Sequence, residues 1–460
     1  MNFKRDPRII FKEEGEVGLL FNPDSGTVNI LNETGKFIWG LLDGEKTKAD
    51  IIGRMNEEFE PAAGQNAAGD FDAFVNTLGA LGFLHGYVQI PPFPRSICFG
   101  ITSRCNLQCK HCLNRNPPQK HRRAGIPAEE PDMTTEQLLG VIDEIGEGGV
   151  KNVSLFGGEP LCHPDFKRIV LQINKYPVSI SLNTNATLID DATAAWLKGH
   201  RVNGAVVSFD GSTADIMERT RGEGVFEKCL RGIGALRGAD ISVLLSVTIT
   251  KINYQDIRAM VLAGKKIGGS SIRFNHVFFG GNAACFVKEL YLSPDEEREA
   301  IEAVWRAHGE FGAFIYSDSS YLCQKKKLEK VKFYRPSHDT ISIPPCGAAM
   351  SKCAIRPDGW ITPCEIMWDV KCGNVKEKKL ADIWRDSEVM MSLRKPLELH
   401  LDEIPQCKGC AYQYVCFIGH RCYPYHYPGG LQNRDLYCWK KKGNDYSDKK
   451  NDDSDRNVSP

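Results

Sequence analysis

Six short apolar segments alternate with helix-forming ones between Ile97 and Val277, and this rhythm constrains the fold more than any other feature of the chain. Ile97–Thr102, Asn152–Phe156, Val178–Asn183, Gly204–Ser208, Ile241–Ile249 and Ser271–His276 have the length and composition of strands. Helices are expected between them, for instance one starting at Thr134, an N-cap followed by Gln137 in the capping-box position. Repeated βα units imply a parallel sheet, and right-handed crossovers curl it into a partial (β/α)6 barrel over residues 95–280, so the class is α/β. In such barrels chemistry sits in the loops at the C-terminal ends of the strands. Cys105, Cys109 and Cys112 follow the first strand, and Gly157, Gly158, Glu159 and Pro160 follow the second.

A chain of 460 residues exceeds what one hydrophobic core serves, and both flanks of the barrel read as separate modules. In residues 1–88, Val17–Phe21 and Val28–Leu31 flank the turn-forming run Asn22-Pro23-Asp24-Ser25-Gly26, a hairpin signature. Three amphipathic helices follow. The first carries Phe37, Ile38, Leu41 and Leu42 and is expected to end at a turn, Asp43-Gly44; the second carries Ile51, Ile52, Met55 and Phe59; the third carries Phe71, Phe74, Val75, Leu78 and Leu81. Together they suggest a winged-helix-like domain, tied to the barrel by the stiff linker Pro91-Pro92-Phe93-Pro94. Beyond a connecting region (281–339), residues 340–442 hold nine cysteines and little periodicity, so metal rather than an apolar core is expected to organise them. The charged and polar tail 443–460 is expected to be disordered.

Basic and acidic residues balance at 58 each, which argues against a nucleic-acid wrapper or a membrane-surface protein. No stretch approaches the roughly 20 apolar residues of a membrane span, and the N-terminus lacks a secretory signal pattern. Seventeen cysteines in a long chain without such a signal point to thiolate ligands in a reducing cytoplasm rather than to disulfides.

Cys105-x3-Cys109-x2-Cys112 can wrap one corner of an iron–sulfur cubane and leave one iron without a protein ligand, the open position that a catalytic metal needs. The alternative for the same spacing is a zinc knuckle completed by Cys98 or His111. Gly157-Gly158-Glu159-Pro160 lets backbone approach a ligand closely. With the cysteine loop one βα unit earlier, it gives a specific match: residues 97–280 resemble the radical S-adenosylmethionine superfamily. The resemblance implies a [4Fe–4S] cluster on Cys105, Cys109 and Cys112, with S-adenosylmethionine chelating the open iron and its amine held by Gly157–Glu159. It further implies that Thr184, Ser208 and Arg221 help to bind this ligand. Arg221 suits a carboxylate because its planar fork donates paired hydrogen bonds.

The C-terminal cysteines Cys346, Cys353, Cys364, Cys407, Cys410, Cys416, Cys422 and Cys438 supply eight thiolates, enough for two further clusters. Their order resembles the SPASM extension of the same superfamily. That resemblance assigns Cys346, Cys353 and Cys364 to one auxiliary cluster, with a ligand returning from the later run. It assigns Cys407, Cys410, Cys416 and Cys438 to the other, three [4Fe–4S] clusters in all. The pattern departs at His420, where a cysteine is expected. Either the imidazole is a ligand or Cys422 replaces it, and the commoner thiolate favours Cys422. Cys98, Cys162, Cys229, Cys285, Cys323 and Cys372 read as buried small residues.

The N-terminal module, through Leu31-Asn32-Glu33-Thr34-Gly35, Leu41-Leu42-Asp43-Gly44 and Leu81-Gly82-Phe83-Leu84, resembles the peptide chaperone of pyrroloquinoline quinone biosynthesis. That family binds the leader of a ribosomally made precursor peptide, and an open strand edge is the physical means. A winged helix reading DNA would want a basic recognition helix, but Lys48 and Arg54 are matched by Asp50, Glu57 and Glu58. The three resemblances imply a peptide-modifying radical enzyme served by a low-potential donor of flavodoxin or ferredoxin type. Competing readings are a maturase of a folded protein such as a sulfatase, a tetrapyrrole-modifying enzyme, and a non-catalytic iron–sulfur sensor on a DNA-binding module.

Overall fold

In the computed structural model all six expected segments are strands of one sheet. The structure describes residues 2–22, 27–59, 66–80, 82–85, 90–113, 131–278, 280–316, 340–343, 347–394 and 397–400. The expected turn at Pro23–Gly26, residues Cys323, Cys346, Cys407, Cys410, Cys416, His420, Cys422 and Cys438, and the tail lie outside the described residues. Two compact units emerge, one mainly Met1–Pro92 and the other mainly Phe93–Ile343 with Ser351–Met391.

In the first unit β2 (Ile10–Glu14), β3 (Val17–Asn22) and β4 (Thr27–Leu31) form an antiparallel sheet in that order. Asn32 caps α1 (Glu33–Leu41), its side chain accepting from the Gly35 N–H at 2.9 Å. A Thr47–Asp50 capping box starts α2 (Lys48–Glu58), and α3 (Ala67–Ala80) follows. Leu20, Ile38, Trp39, Leu42, Ile51 and Phe71 pack into one buried core. The turn expected at Asp43-Gly44 is instead the start of β5 (Asp43–Thr47), which pairs with β1 (Asn2–Lys4). Gly44 at φ +91° permits this, since the Lys4 side chain lies 3.2 Å from where a Cβ would stand.

In the second unit the parallel strands run in sequence order: β6 (Ser96–Thr102), β7 (Asn152–Gly157), β8 (Ser179–Thr184), β9 (Val202–Ser208), β10 (Ser242–Ile249) and β11 (Ser271–His276). Each is followed by helix, beginning with α4 (Thr135–Glu147), whose cap is the Thr134–Gln137 box read from the sequence. Burial alternates strictly along β8, β10 and β11. Ile180, Leu182, Leu245, Ile272 and Phe274 are fully buried on the helix side. Ser181, Asn183, Ser246, Arg273 and Asn275 are half-buried on the opposite, concave side. The concave face is therefore largely polar, with Val206 and Leu244 as half-buried apolar exceptions.

The sheet also extends past the six strands. β12 (Lys352–Ile355) pairs in parallel with β6, and β13 (Trp360–Thr362) and β14 (Gly373–Asn374) continue it. The described part of the cysteine-rich region is thus organised by strand pairing and by buried Ala354, Ile355, Ile361, Leu380, Ile383 and Trp384, not by metal alone. These strands are too short to show a period in the sequence.

Candidate active site

Three hydrogen bonds to Thr220 and Asn282 grip the cysteine loop that leaves β6. The Lys110 N–H donates to the Thr220 carbonyl at 2.9 Å, and the Asn282 backbone and side-chain amides donate to the carbonyls of Cys112 and Cys109 at 2.9 Å each. Gly281, at φ +52°, lets the chain pass: a Cβ there would sit 2.2 Å from the Leu113 carbonyl oxygen. Cys105, Cys109 and Cys112 are half-buried, and burial pushes the Cys105 thiol up to about 11. The Leu107 N–H donates to Cys105 Sγ at 3.4 Å, and Arg221 Nη1 lies 3.8 Å from Cys109 Sγ. The two zinc-completing candidates are engaged elsewhere, with His111 Nε2 at 3.2 Å from Asp210 and Cys98 Sγ at 3.5 Å from Glu365. Three sulfurs on one loop with N–H donors nearby fit an iron–sulfur cluster.

Gly157 and Gly158 owe their identity to this loop. The Gly158 and Glu159 N–H groups donate to the carbonyls of Thr102 and Arg104 at 2.7 and 2.8 Å. A Cβ on Gly157 or Gly158 would stand 2.2 Å from those same oxygens. Glu159 is buried at this junction; Thr184 Oγ1 donates to one carboxylate oxygen and the Asn185 N–H to the other, both at 2.8 Å. Burial pushes its carboxyl up to about 7 despite those donors. A buried acid that forms no ion pair among the described residues suits an incoming ammonium. Thr184 reaches the site through Glu159, because its oxygen also accepts from the Ala186 N–H at 2.9 Å. Asn185, which the sequence offered no role, ties this corner to the cysteine loop through Asn106 at 2.9 Å.

On the other side of the loop Arg221 is buried, and its Nε donates to Asp210 Oδ2 at 2.6 Å. Burial alone would lower the Arg221 pKa, but Asp210 and then Cys109 more than offset it, so the guanidinium stays charged. The second Asp210 oxygen accepts from the Thr248 N–H at 2.8 Å. His111 completes the group; burial pulls its pKa down to about 4, and its Nδ1 has no partner among the described residues. Asp210, which the sequence reading gives no role, lies two residues after Ser208. Ser208 is half-buried at the end of β9.

Of the auxiliary candidates, Cys353 and Cys364 are described, and both are buried. Burial pushes the Cys364 thiol up to about 12. Beside it Lys352 Nζ lies 3.4 Å from Glu365.

Comparison with known proteins agrees with this geometry. The radical SAM superfamily model matches residues 99–263, the iron–sulfur cluster-binding SPASM domain 346–411, and the coenzyme PQQ synthesis protein D domain 18–84. The chain carries a radical SAM domain. A radical SAM domain binds S-adenosylmethionine and a [4Fe–4S] cluster, and the SPASM domain binds iron–sulfur clusters. With these domains the chain is an enzyme that generates a 5′-deoxyadenosyl radical. It is similar to the AdoMet-dependent heme synthase of Methanosarcina barkeri, at 28% identity over 76% of this chain and 97% of that protein. It is similar to the PqqA peptide cyclase of Gluconobacter oxydans, at 24% identity over 76% and 92%. In fold it resembles Streptococcus suis SuiB bound to its precursor peptide SuiA, with a TM-score of 0.57, 17% identity, and 95% and 99% of the two chains covered. No helix among the described residues is long and apolar enough to cross a membrane.

Proposed function

We propose that this enzyme uses a 5′-deoxyadenosyl radical to modify a ribosomally made precursor peptide whose leader is held by the N-terminal unit. The observation that carries the reading is the PqqD-type domain at residues 18–84 in the same chain as the radical SAM and SPASM domains. Physical support comes from β4, an edge strand with Val28 and Ile30 59% and 64% exposed, which offers backbone and apolar side chains to an added strand. The PqqA peptide cyclase likeness points the same way. The heme synthase likeness favours a tetrapyrrole substrate as the second reading.

In the proposed assignment Cys105, Cys109 and Cys112 hold the cleaving cluster. Glu159 accepts the amine of S-adenosylmethionine, and Ser208 and Arg221 face its remaining polar groups. Cys346, Cys353, Cys364 and Cys422 hold one auxiliary cluster, and Cys407, Cys410, Cys416 and Cys438 the other. A flavodoxin- or ferredoxin-like protein of the cytoplasm delivers the electron.

Deleting residues 1–88 tests the reading. The shortened enzyme should still cleave S-adenosylmethionine but lose binding of peptides encoded by short reading frames beside its gene. Undiminished affinity of the truncated protein for such a peptide would overturn leader recognition.

A further inference from the structure

Arg273 stands in the middle of β11 between buried Ile272 and Phe274, so it shares the concave face with Asn275, with Ser246 opposite it on β10, and with Ser208 beyond. Its hydrogen-bond contact among the described residues is Nη2 to Ser246 Oγ at 3.5 Å, the outer limit for such a bond. Its Nε is buried with no partner, and the guanidinium makes no ion pair among the described residues. Three other partly buried cations of this unit are paired: Arg221 with Asp210 at 2.6 Å, Lys110 with Glu289 at 2.7 Å and Lys352 with Glu365 at 3.4 Å. An unsatisfied charged donor in a half-buried position is destabilising unless something arrives to pair with it. Ser208, Ser246 and Asn275 add hydrogen-bonding groups around it but no negative charge.

We propose that Arg273 anchors a carboxylate of the substrate inside the barrel, so that the modified group lies on or beside an acidic side chain. The planar fork of one arginine matches one carboxylate, whereas a phosphate calls for more charge than this face carries. The inference rests on the peptide reading for the source of the carboxylate, but the anchor is a property of the barrel alone.

Full-length, cluster-loaded protein with S-adenosylmethionine is dialysed anaerobically against three probes. These are the acetylated, amidated pentapeptide Gly-Ala-Glu-Ala-Gly, its glutamine counterpart, and coproporphyrin III. The glutamate peptide should bind at least about tenfold more tightly than the glutamine peptide. Arg273→Gln should erase that difference and Arg273→Lys keep part of it, with S-adenosylmethionine affinity unchanged in both as the check on folding. Equal binding of the two peptides together with coproporphyrin binding that Arg273→Gln does not change, a peptide preference that survives in Arg273→Gln, or binding of none of the probes would overturn the anchor. Coproporphyrin binding lost in Arg273→Gln, without discrimination between the peptides, would keep the anchor and overturn the peptide reading. Failure of leader binding alone would leave the anchor standing.

Discussion

Thr184 Oγ1 donates to Glu159 at 2.8 Å inside a buried corner, yet the carboxyl remains raised from its usual 4.5 to about 7. Burial outweighs the donors, and the sign of the consequence follows. Below the unfolded value both states are protonated and there is no penalty. As pH rises from about 4.5 to about 7 the unfolded chain ionises while the folded one resists, so stability is lost across that window, by about 3 kcal/mol at most. Cluster-loaded enzyme without S-adenosylmethionine should therefore melt lower at pH 8 than at pH 5. Glu159→Gln should flatten that dependence, raising the melting temperature at pH 8 while leaving pH 5 unchanged. A parallel decline in both proteins would show that Glu159 is ionised in the fold.

Asp210 and Arg221 form a buried pair, so removing one partner should cost more than removing both. Asp210→Ala leaves the guanidinium uncompensated, and a loss of about 3–5 kcal/mol is expected in anaerobic urea denaturation. The double variant with Arg221→Met should recover a large part of that loss. Simple additivity of the two single changes would mean that the pair is solvated and contributes little.

Iron content tests the ligand assignment directly. Reconstituted enzyme should hold about twelve irons, at four per cubane, and Cys105, Cys109 and Cys112 changed together to alanine should remove about a third. Cys422→Ala should destroy one auxiliary cluster while His420→Ala leaves iron nearly whole. The reverse pattern, with nitrogen coupling in pulsed electron paramagnetic resonance, would make the imidazole the ligand.

Legibility followed the range of each signal. The β6–β11 strands and the Thr134–Gln137 cap were readable because period and capping are local in sequence. β1 and β5 were not, because the short Asn2–Lys4 and the polar Asp43–Thr47 become strands only by finding each other. The same holds for Asp210, whose importance lies in being 2.6 Å from a residue eleven positions later. The cysteine loop and the glycine pair were legible as types, but their mutual contact was not. Sequence reading took the glycines to serve a ligand; their first duty is to clear the Thr102 and Arg104 carbonyls. Arg273 and Asn275 alternate with Ile272 and Phe274, a visible period of two, but only the assembled sheet identifies the polar side as the barrel interior.

That contact between the glycines and the cysteine loop yields the sharpest test. A methyl group on Gly158 would stand 2.2 Å from the Arg104 carbonyl oxygen and 2.6 Å from that of Ser103. Both are backbone atoms, which cannot swing aside as a side chain can. Relief requires the loop to move, and Cys105 is the next residue along it. Gly158→Ala should therefore break the Glu159 N–H bond to Arg104 and lower retained iron by about a third, the share of one cluster among three. Gly140, in the middle of α4 with nothing within 4 Å of its would-be Cβ, is the matched control. Gly140→Ala should leave iron unchanged and stabilise the helix by roughly 0.5–1 kcal/mol. Full iron in Gly158→Ala would mean that the loop can shift without losing its sulfur ligands, and the glycine pair would then be needed for S-adenosylmethionine rather than for the cluster.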